Sequence, residues 1–288
     1  MTATDQSPHT TGSVPAPPGD GYESEDELAG WVPPRQPIRL LAPLLGLLIV
    51  SVVWETYVRI TGVSPLVLPA PSRIVRHIAS DPGFYLSHGW VTLWEAMAGL
   101  VLALVLALAV ATVMAHSRFA ERATMPVIVL IQSTPVAVLA PVFLLWFGFS
   151  PWPRILVAML FTFVPLVSNA LTGLRSVDHD TLEVLRSVDA SKREIFWHLR
   201  LPNALPALFA VGRIAMSLAL VGAVIGEMYG GSDSGLGRKA LQAISRNLVD
   251  QLWGSVLALA LMGVVLTLGV MALEQRVLRW HSSQSHLD

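Results

Sequence analysis

The sequence predicts an all-α membrane protein: six membrane-spanning helices and a two-helix loop on the cytoplasmic side. Three observations predict it. First, 53% of the 288 residues are apolar and only 14% are charged, where a soluble domain carries about 25% charged residues; the mean hydropathy is +0.59. Second, six apolar stretches reach or approach the roughly 20 residues needed to cross a bilayer core. Third, a polar segment at 180–206 lies between two of these stretches and carries two helix-start signals of its own.

The stretches lie near 40–57, 90–115, 123–149, 155–174, 207–229 and 252–273, and the third, fourth and sixth hold no charge. In hydrocarbon every backbone group must be satisfied internally, which admits helices or a closed barrel. The runs do not alternate apolar with polar residues, so a barrel is excluded. With the N-terminus inside, eleven Lys and Arg residues flank the spans on the inner side and seven on the outer side, with Arg213 inside a span. This bias places both termini and the 180–206 segment in the cytoplasm.

Residues 1–37 are rich in Pro, Ser, Thr and Gly and carry Asp5, Asp20, Glu23, Glu25, Asp26 and Glu27 against Arg35. Such a composition predicts a disordered acidic tail. It lacks the basic start and adjoining apolar core of a signal peptide. Domain organisation follows: tail 1–37, membrane domain 38–280 with its loop at 178–206, and a short C-terminal tail 281–288. The chain has no cysteine, which excludes disulfides, thiolate nucleophiles and cysteine metal clusters. His77, His88, His116, His179 and His198 show no metal-ligand spacing.

Within 180–206, Asp180 precedes Glu183 by three residues and Ser191 precedes Glu194 by three, so each pair can form a capping box. Pro202 is expected to stop the second helix near Leu201. The expectation is two short exposed helices joined by a turn at Asp189 and Ala190, a shape suited to docking a partner. Ile195, Phe196 and Leu199 form an apolar stripe expected to pack back onto the membrane domain. On the outer side, 61–88 holds Pro65, Pro69, Pro71 and Pro82, with Ser72 placed to cap a short surface helix through His77. The segment beginning Gly230-Gly231-Ser232 lacks the strand and the Gly-Lys-Ser/Thr of a phosphate loop, and is read as a tight periplasmic turn beside a pore mouth.

The 180–206 segment resembles the cytoplasmic loop of binding-protein-dependent ABC importer permeases. That pattern is Glu-Ala-Ala, three residues, Gly, nine residues, Ile, one residue, Leu-Pro. Glu183, Leu199 and Leu201-Pro202 match with the spacing intact. Val184-Leu185 stand for Ala-Ala, and Asp189 stands for Gly, a replacement that a turn tolerates. The wider chain, roughly 40–273, is similar to the nitrate/sulfonate/taurine-type permeases. Trp54-Glu55, Leu68-Pro69-Ala70-Pro71-Ser72, Thr92-Leu93 with Gly99, Ser133-Thr134-Pro135, Leu139-Ala140-Pro141, Trp146-Phe147-Gly148, Glu227 and Gly235-Leu236-Gly237 carry this likeness.

The resemblance implies a type I importer permease in the cytoplasmic membrane. Two copies form the pore, an ABC ATPase dimer docks on the loops, and an extracytoplasmic binding protein delivers the solute. Nucleic acid is not among the implied partners. ATP and magnesium would be bound by the ATPase; this chain has no Walker motif, no cofactor and no enzymatic site of its own. Leu182, Glu183, Leu185, Arg186, Val188, Asp189, Ala190 and Ser191 are the docking candidates. The implied solute is a small anion such as a sulfonate, taurine or nitrate, with another small organic solute as the alternative. An ATP-independent carrier predicts inverted repeats or a charged midplane, and neither is visible. A scaffold without transport is a third reading, opposed by the capped loop and the polar kinked spans.

Polar residues inside spans mark transport paths or interhelical bonds. Gln132, Ser133 and Thr134 before Pro135, Asn169 after Pro165, Ser217, and Glu227 at the outer end of its span are the path candidates. Arg213 is expected to pair with Glu95 or with the loop, and Glu55 and Glu95 are expected at the interfaces. Pro126, Pro135, Pro141 and Pro165 predict bending of the third and fourth spans.

Overall fold

The computed structural model describes residues 37–278, with side chains from 45 onward. The predicted tails therefore lie largely outside the described residues. The chain divides into two units, Met1–Val53 and Trp54–Asp288. All described regular structure is helical. Helix α1, Pro37–Thr61, covers the first predicted span. Helix α2, Pro71–Ser80, follows, and α3, Pro82–His116, is a 35-residue span. The third predicted span is two helices, α4 (Arg118–Ser133) and α5 (Val136–Phe147). Then come α6, Trp152–Arg175, and the loop helices α7, His179–Ser187, and α8, Lys192–Ile195. Helix α9 is Leu201–Tyr229, α10 is Leu236–Ser245 and α11 is Val249–Val277. Among the described residues four helices are long and apolar enough to cross a membrane, and α4 with α5 adds a fifth if the pair counts as one span.

The third span is not one helix. α4 and α5 meet at 97°. Pro135 has no N–H to bond Ile131 O, and the Thr134 amide takes up that carbonyl at 3.3 Å beside its regular partner, Leu130 O, at 3.1 Å. Pro126 and Pro141 lie inside α4 and α5 without breaking either helix. Pro202 likewise fails to stop its helix. Phe196–Arg200 form a π-helical turn, with the Leu201 amide bonded to Phe196 O. The wider turn absorbs the donor that Pro202 lacks, so Lys192–Tyr229 runs on as one long helix.

Helices α3, α6 and α9 pack through small residues. Ala103, Ala107 and Ala111 recur every four residues on α3 and are buried, as are Ala158 and Ala170 on α6 and Ala215, Ala219 and Ala223 on α9. Lipid is as apolar as leucine, so close backbone approach, not water exclusion, holds such helices together. Gly222 and Gly226 are spaced for this. A Cβ on Gly222 would lie 2.6 Å from Ala158 Cα, and one on Gly226 2.7 Å from Arg154 Cα. Gly222→Val is therefore expected to separate α6 from α9 and to destabilise the purified protein by about 3 kcal/mol, the upper range for overpacking. Gly269→Val, with open space around the glycine, should melt at the wild-type temperature. Equal melting of the two variants would overturn the packing assignment. The outward faces of α4 and α11 carry exposed apolar residues such as Val127, Leu130, Val264, Val265 and Leu268, as surfaces in contact with lipid or another span require.

Candidate functional site

The loop between α6 and α9 is built by its caps. Asp178, not Asp180, caps α7: its carboxylate accepts from the Thr181 amide at 3.3 Å and from the Thr181 hydroxyl at 3.1 Å. Asp178 has the extended backbone that a cap needs, whereas Asp180 already lies in the first turn. The end of α7 is a Schellman motif. The Ala190 amide bonds Leu185 O at 3.0 Å, the Asp189 amide bonds Arg186 O at 3.1 Å, and Asp189 takes φ +53°. That is the left-handed position where glycine is usual, which gives the physical reason for glycine at this point of the loop pattern. Asp is among the few other residues that tolerate it.

The second start follows the expectation. Ser191 Oγ accepts the Glu194 amide, and Glu194 Oε2 accepts the Ser191 amide at 2.8 Å and the Ser191 hydroxyl at 2.7 Å. The Ser191 hydroxyl, then its amide, hold the Glu194 carboxyl below its ordinary range. Of the predicted apolar stripe, Ile195 is buried and Phe196 packs against the membrane-domain core, while Leu199 is half-buried outside that cluster. Of the docking candidates, Glu183, Arg186, Val188, Asp189 and Ser191 are exposed, while Leu182, Leu185 and Ala190 are half-buried. Leu182 and Ala190 face a cavity of about 400 Å³ beneath the loop. The sequence reading missed Val184. It is 64% exposed, one turn before Val188 at 69%, so two valines project from an otherwise polar knob.

The path candidates do not converge on one surface. Gln132 and Thr134 line a groove of about 440 Å³ at the α4–α5 break, closed on the other side by Leu160, Phe161, Val164 and Pro165 of α6. The Ser133 hydroxyl bonds its own helix at Val129 O. The Asn169 amide bonds Pro165 O at 2.9 Å, satisfying the carbonyl one turn before it. Ser217 is exposed on α9, outside the groove lining.

Glu227 is fully buried and turned toward the 230–237 loop. Its carboxylate accepts from the Thr92 hydroxyl at 2.6 Å and from the Gly237 amide at 2.6 Å, and the Leu236 amide bonds Thr92 Oγ1 at 2.9 Å. Gly235 (φ +96°) and Gly237 lie against that carboxylate; a Cβ on Gly235 would occupy its place, and one on Gly237 would come 2.8 Å from Oε2. Beside them Arg154 Nε lies 3.0 Å from Glu95 Oε1, and Arg154 Nη1 bonds the Ser232 hydroxyl. Glu95 is therefore a buried ion-pair partner and not an interfacial residue. Arg213 pairs instead with Glu274, at 3.5 Å.

Glu55 does sit near the end of its span, where it bonds the Ser72 amide at 3.0 Å and the Ser72 hydroxyl at 2.8 Å. Ser72 is thus held by Glu55 instead of capping α2, whose cap position is Ala70. The turn expected after α9 carries a helix of its own, α10, so Gly230–Gly237 works as a laced strap leading into a helix.

The bent α4–α5 pair, the π turn before α9 and the capped loop between α6 and α9 belong to an α-helical membrane protein, and sequence comparison gives its family. Residues 99–280 match the binding-protein-dependent transport system inner membrane component family, and the chain belongs to it. It is 33% identical to the formylaminopyrimidine transport permease protein ThiX of Halalkalibacterium halodurans over 87% of this chain and 100% of that one. It is 35% identical to the riboflavin transport system permease protein RibX of Chloroflexus aurantiacus, over 84% and 92%. With the taurine transport system permease protein TauC of Escherichia coli it shares 28% identity, over 82% and 88%. The inward-facing MetNI methionine ABC transporter has a chain of the same fold, with a TM-score of 0.58, 16% identity, and coverage of 65% of this chain and 93% of that one. The protein is a membrane-spanning permease subunit of an ABC importer, in a family that works with a separate ATPase and a solute-binding protein.

Proposed function

We propose that this permease imports a small nitrogen heterocycle of the pyrimidine kind, in a homodimer driven by an ATPase pair that docks on α7 and α8. The groove at the α4–α5 break carries the solute reading. Its lining offers the Gln132 amide, which both donates and accepts, the Thr134 hydroxyl oxygen as an acceptor, its proton going to Leu130 O, the Phe161 ring and aliphatic carbons. No Lys or Arg lines it among the described residues. An apolar surface with a few neutral polar groups suits a flat, uncharged ring better than a sulfonate or nitrate. Identities of 33% and 35% to permeases named for formylaminopyrimidine and riboflavin support the same choice. The anion reading stands second, supported by relatives named for taurine and aliphatic sulfonates at 28% identity.

In this mechanism the α7–α8 knob is the lever. Its Schellman and capping-box ends make it rigid, and its second helix continues unbroken through the π turn into α9. Closure of the ATPases would move α9 directly, and α6 with it through the glycine contact. The test is ATP hydrolysis by the permease reconstituted with its ATPase and binding protein, across a pyrimidine, riboflavin, taurine, an alkanesulfonate and nitrate. A heterocycle should stimulate hydrolysis, and Gln132→Leu should weaken that stimulation about fivefold, the worth of one neutral hydrogen bond. Stimulation by the anions alone would transfer the assignment to them.

A further inference from the structure

A wide concave surface lies at the junction of α3 and α4, at the end of the membrane domain that carries the α7–α8 loop. It is a groove of about 1130 Å³ with two kinds of wall. One wall is cationic: Arg118, Arg122 and Arg175, beside His116, against the single carboxylate of Glu121. That carboxylate is already committed, because Arg175 grips it with bonds of 2.8 and 2.6 Å while also bonding Met114 O. Arg118 and Arg122 have no ion-pair partner among the described residues. The other wall is Met125, Pro126 and Val129, apolar and exposed.

Helix polarity sharpens the imbalance. Arg118 opens the 16-residue α4, whose start is fixed by Ser117 accepting the Ala120 amide. Unbonded amides make a helix start electropositive, so cations there are unfavourable and anions favourable. The neighbouring cavity beneath the docking loop shares Ala115 and His116 with the groove. It adds Arg186, Lys192 and Arg200, with no carboxylate in its lining. A free anion would satisfy the cations but leave the apolar wall untouched. A group that is anionic at one end and aliphatic at the other uses both, and basic pockets at the ends of spans are suited to such headgroups.

We infer that this groove binds an acidic phospholipid, its phosphodiester held by Arg118 and Arg122 and its acyl chain lying along Met125, Pro126 and Val129. The field of Arg186, Lys192 and Arg200 places the bound headgroup beside the loop that docks the ATPase, so occupancy stiffens the base of that loop.

The test uses the purified full chain in neutral detergent, titrated with dioctanoyl phosphatidylglycerol, dioctanoyl phosphatidylcholine or inorganic phosphate, with melting temperature and native mass spectrometry as readouts. Phosphatidylglycerol alone should raise the melting temperature and stay bound. Arg118→Gln with Arg122→Gln should weaken it about thirtyfold, from about fivefold per juxtamembrane cation, while Arg76→Gln in α2 leaves it unchanged. An equal response to inorganic phosphate would make this a free-anion site and overturn the lipid. An equal response to phosphatidylcholine, or a full response in the double variant, would overturn it as well, and so would loss of the dimer with lipid binding intact, which would make the groove a contact between copies. If the glutamine pair does not fold, Val129→Asn on the apolar wall must weaken phosphatidylglycerol, and unchanged binding there would refute the proposal.

Discussion

Arg154→Met is expected to lower the stability of the purified permease by about 3–5 kcal/mol, the cost of removing one partner from a buried ion pair. Arg154 is 7% exposed, and the groups around it, Glu95, Glu227, Thr92 and Ser232, are between 0 and 2% exposed. Neither Glu95 oxygen accepts a hydrogen bond among the described residues, and the ion pair with Arg154 Nε at 3.0 Å is its compensation. Take the guanidinium away and Glu95 must hold its charge unpaired or take up a proton, while Ser232 loses its tie to α6. Changing both partners, Glu95→Gln with Arg154→Met, should lose clearly less than the single change, because a buried pair replaced by neutral groups of similar volume is often close to neutral. Limited proteolysis adds a local readout, since the strap from Gly230 to Gly237 should be cut sooner in Arg154→Met. A single variant that melts with the wild type and resists protease equally would show that the cluster fastens nothing.

The same cluster shows where the sequence was legible and where it was not. The spans could be read because hydropathy is local: five of the six stretches fall within a helix, and the third, 123–149, covers a broken pair that ends at Phe147. The α7–α8 loop could be read because caps are local too, and Ser191 with Glu194 needed only a spacing of three. The error at Asp180 was also local. Asp178 and Asp180 are both competent caps, and the backbone conformation that chooses between them is not written in residue type. Glu95 and Arg154 are separated by 59 positions, and each reads alone as a charge near the end of a span. Only the packing of α3 on α6 brings them together and buries them. The glycine contact of Gly222 with Ala158 was hidden for the same reason: small residues in an apolar run raise no signal until a second helix lies against them. Pro202 misled in the other direction, because one π turn cancels a rule that holds for an α-helix.

Substitutions on the α7–α8 knob are expected to have the largest effect on function, with little effect on folding. Val184 and Val188 are more than 60% exposed on a polar loop. Burying one valine against a partner contributes roughly 1.5–3 kcal/mol, so Val188→Asp should weaken ATPase docking by about 10–100-fold. Asp189→Val acts through the backbone instead. A β-branched residue resists φ +53°, so the Schellman turn opens and the angle between α7 and α8 is lost. Asp189→Gly keeps the turn and should couple as well as the wild type. Asp189→Arg keeps enough of the turn to fold but places a cation at the tip, and with Glu183→Ala it is expected to abolish solute-stimulated hydrolysis. The measurement is stimulated ATP hydrolysis in the reconstituted importer, beside the melting temperature of the isolated permease. Lost stimulation at an unchanged melting temperature assigns the knob to coupling. Full stimulation in Val188→Asp, Asp189→Arg and Glu183→Ala together would place the ATPase contact elsewhere on the chain. The Asp189→Gly and Asp189→Val pair separates geometry from charge. Both remove the same carboxylate, so a loss in Asp189→Val that Asp189→Gly does not share is not due to charge and is the result expected of the left-handed turn that carries α7 into α8.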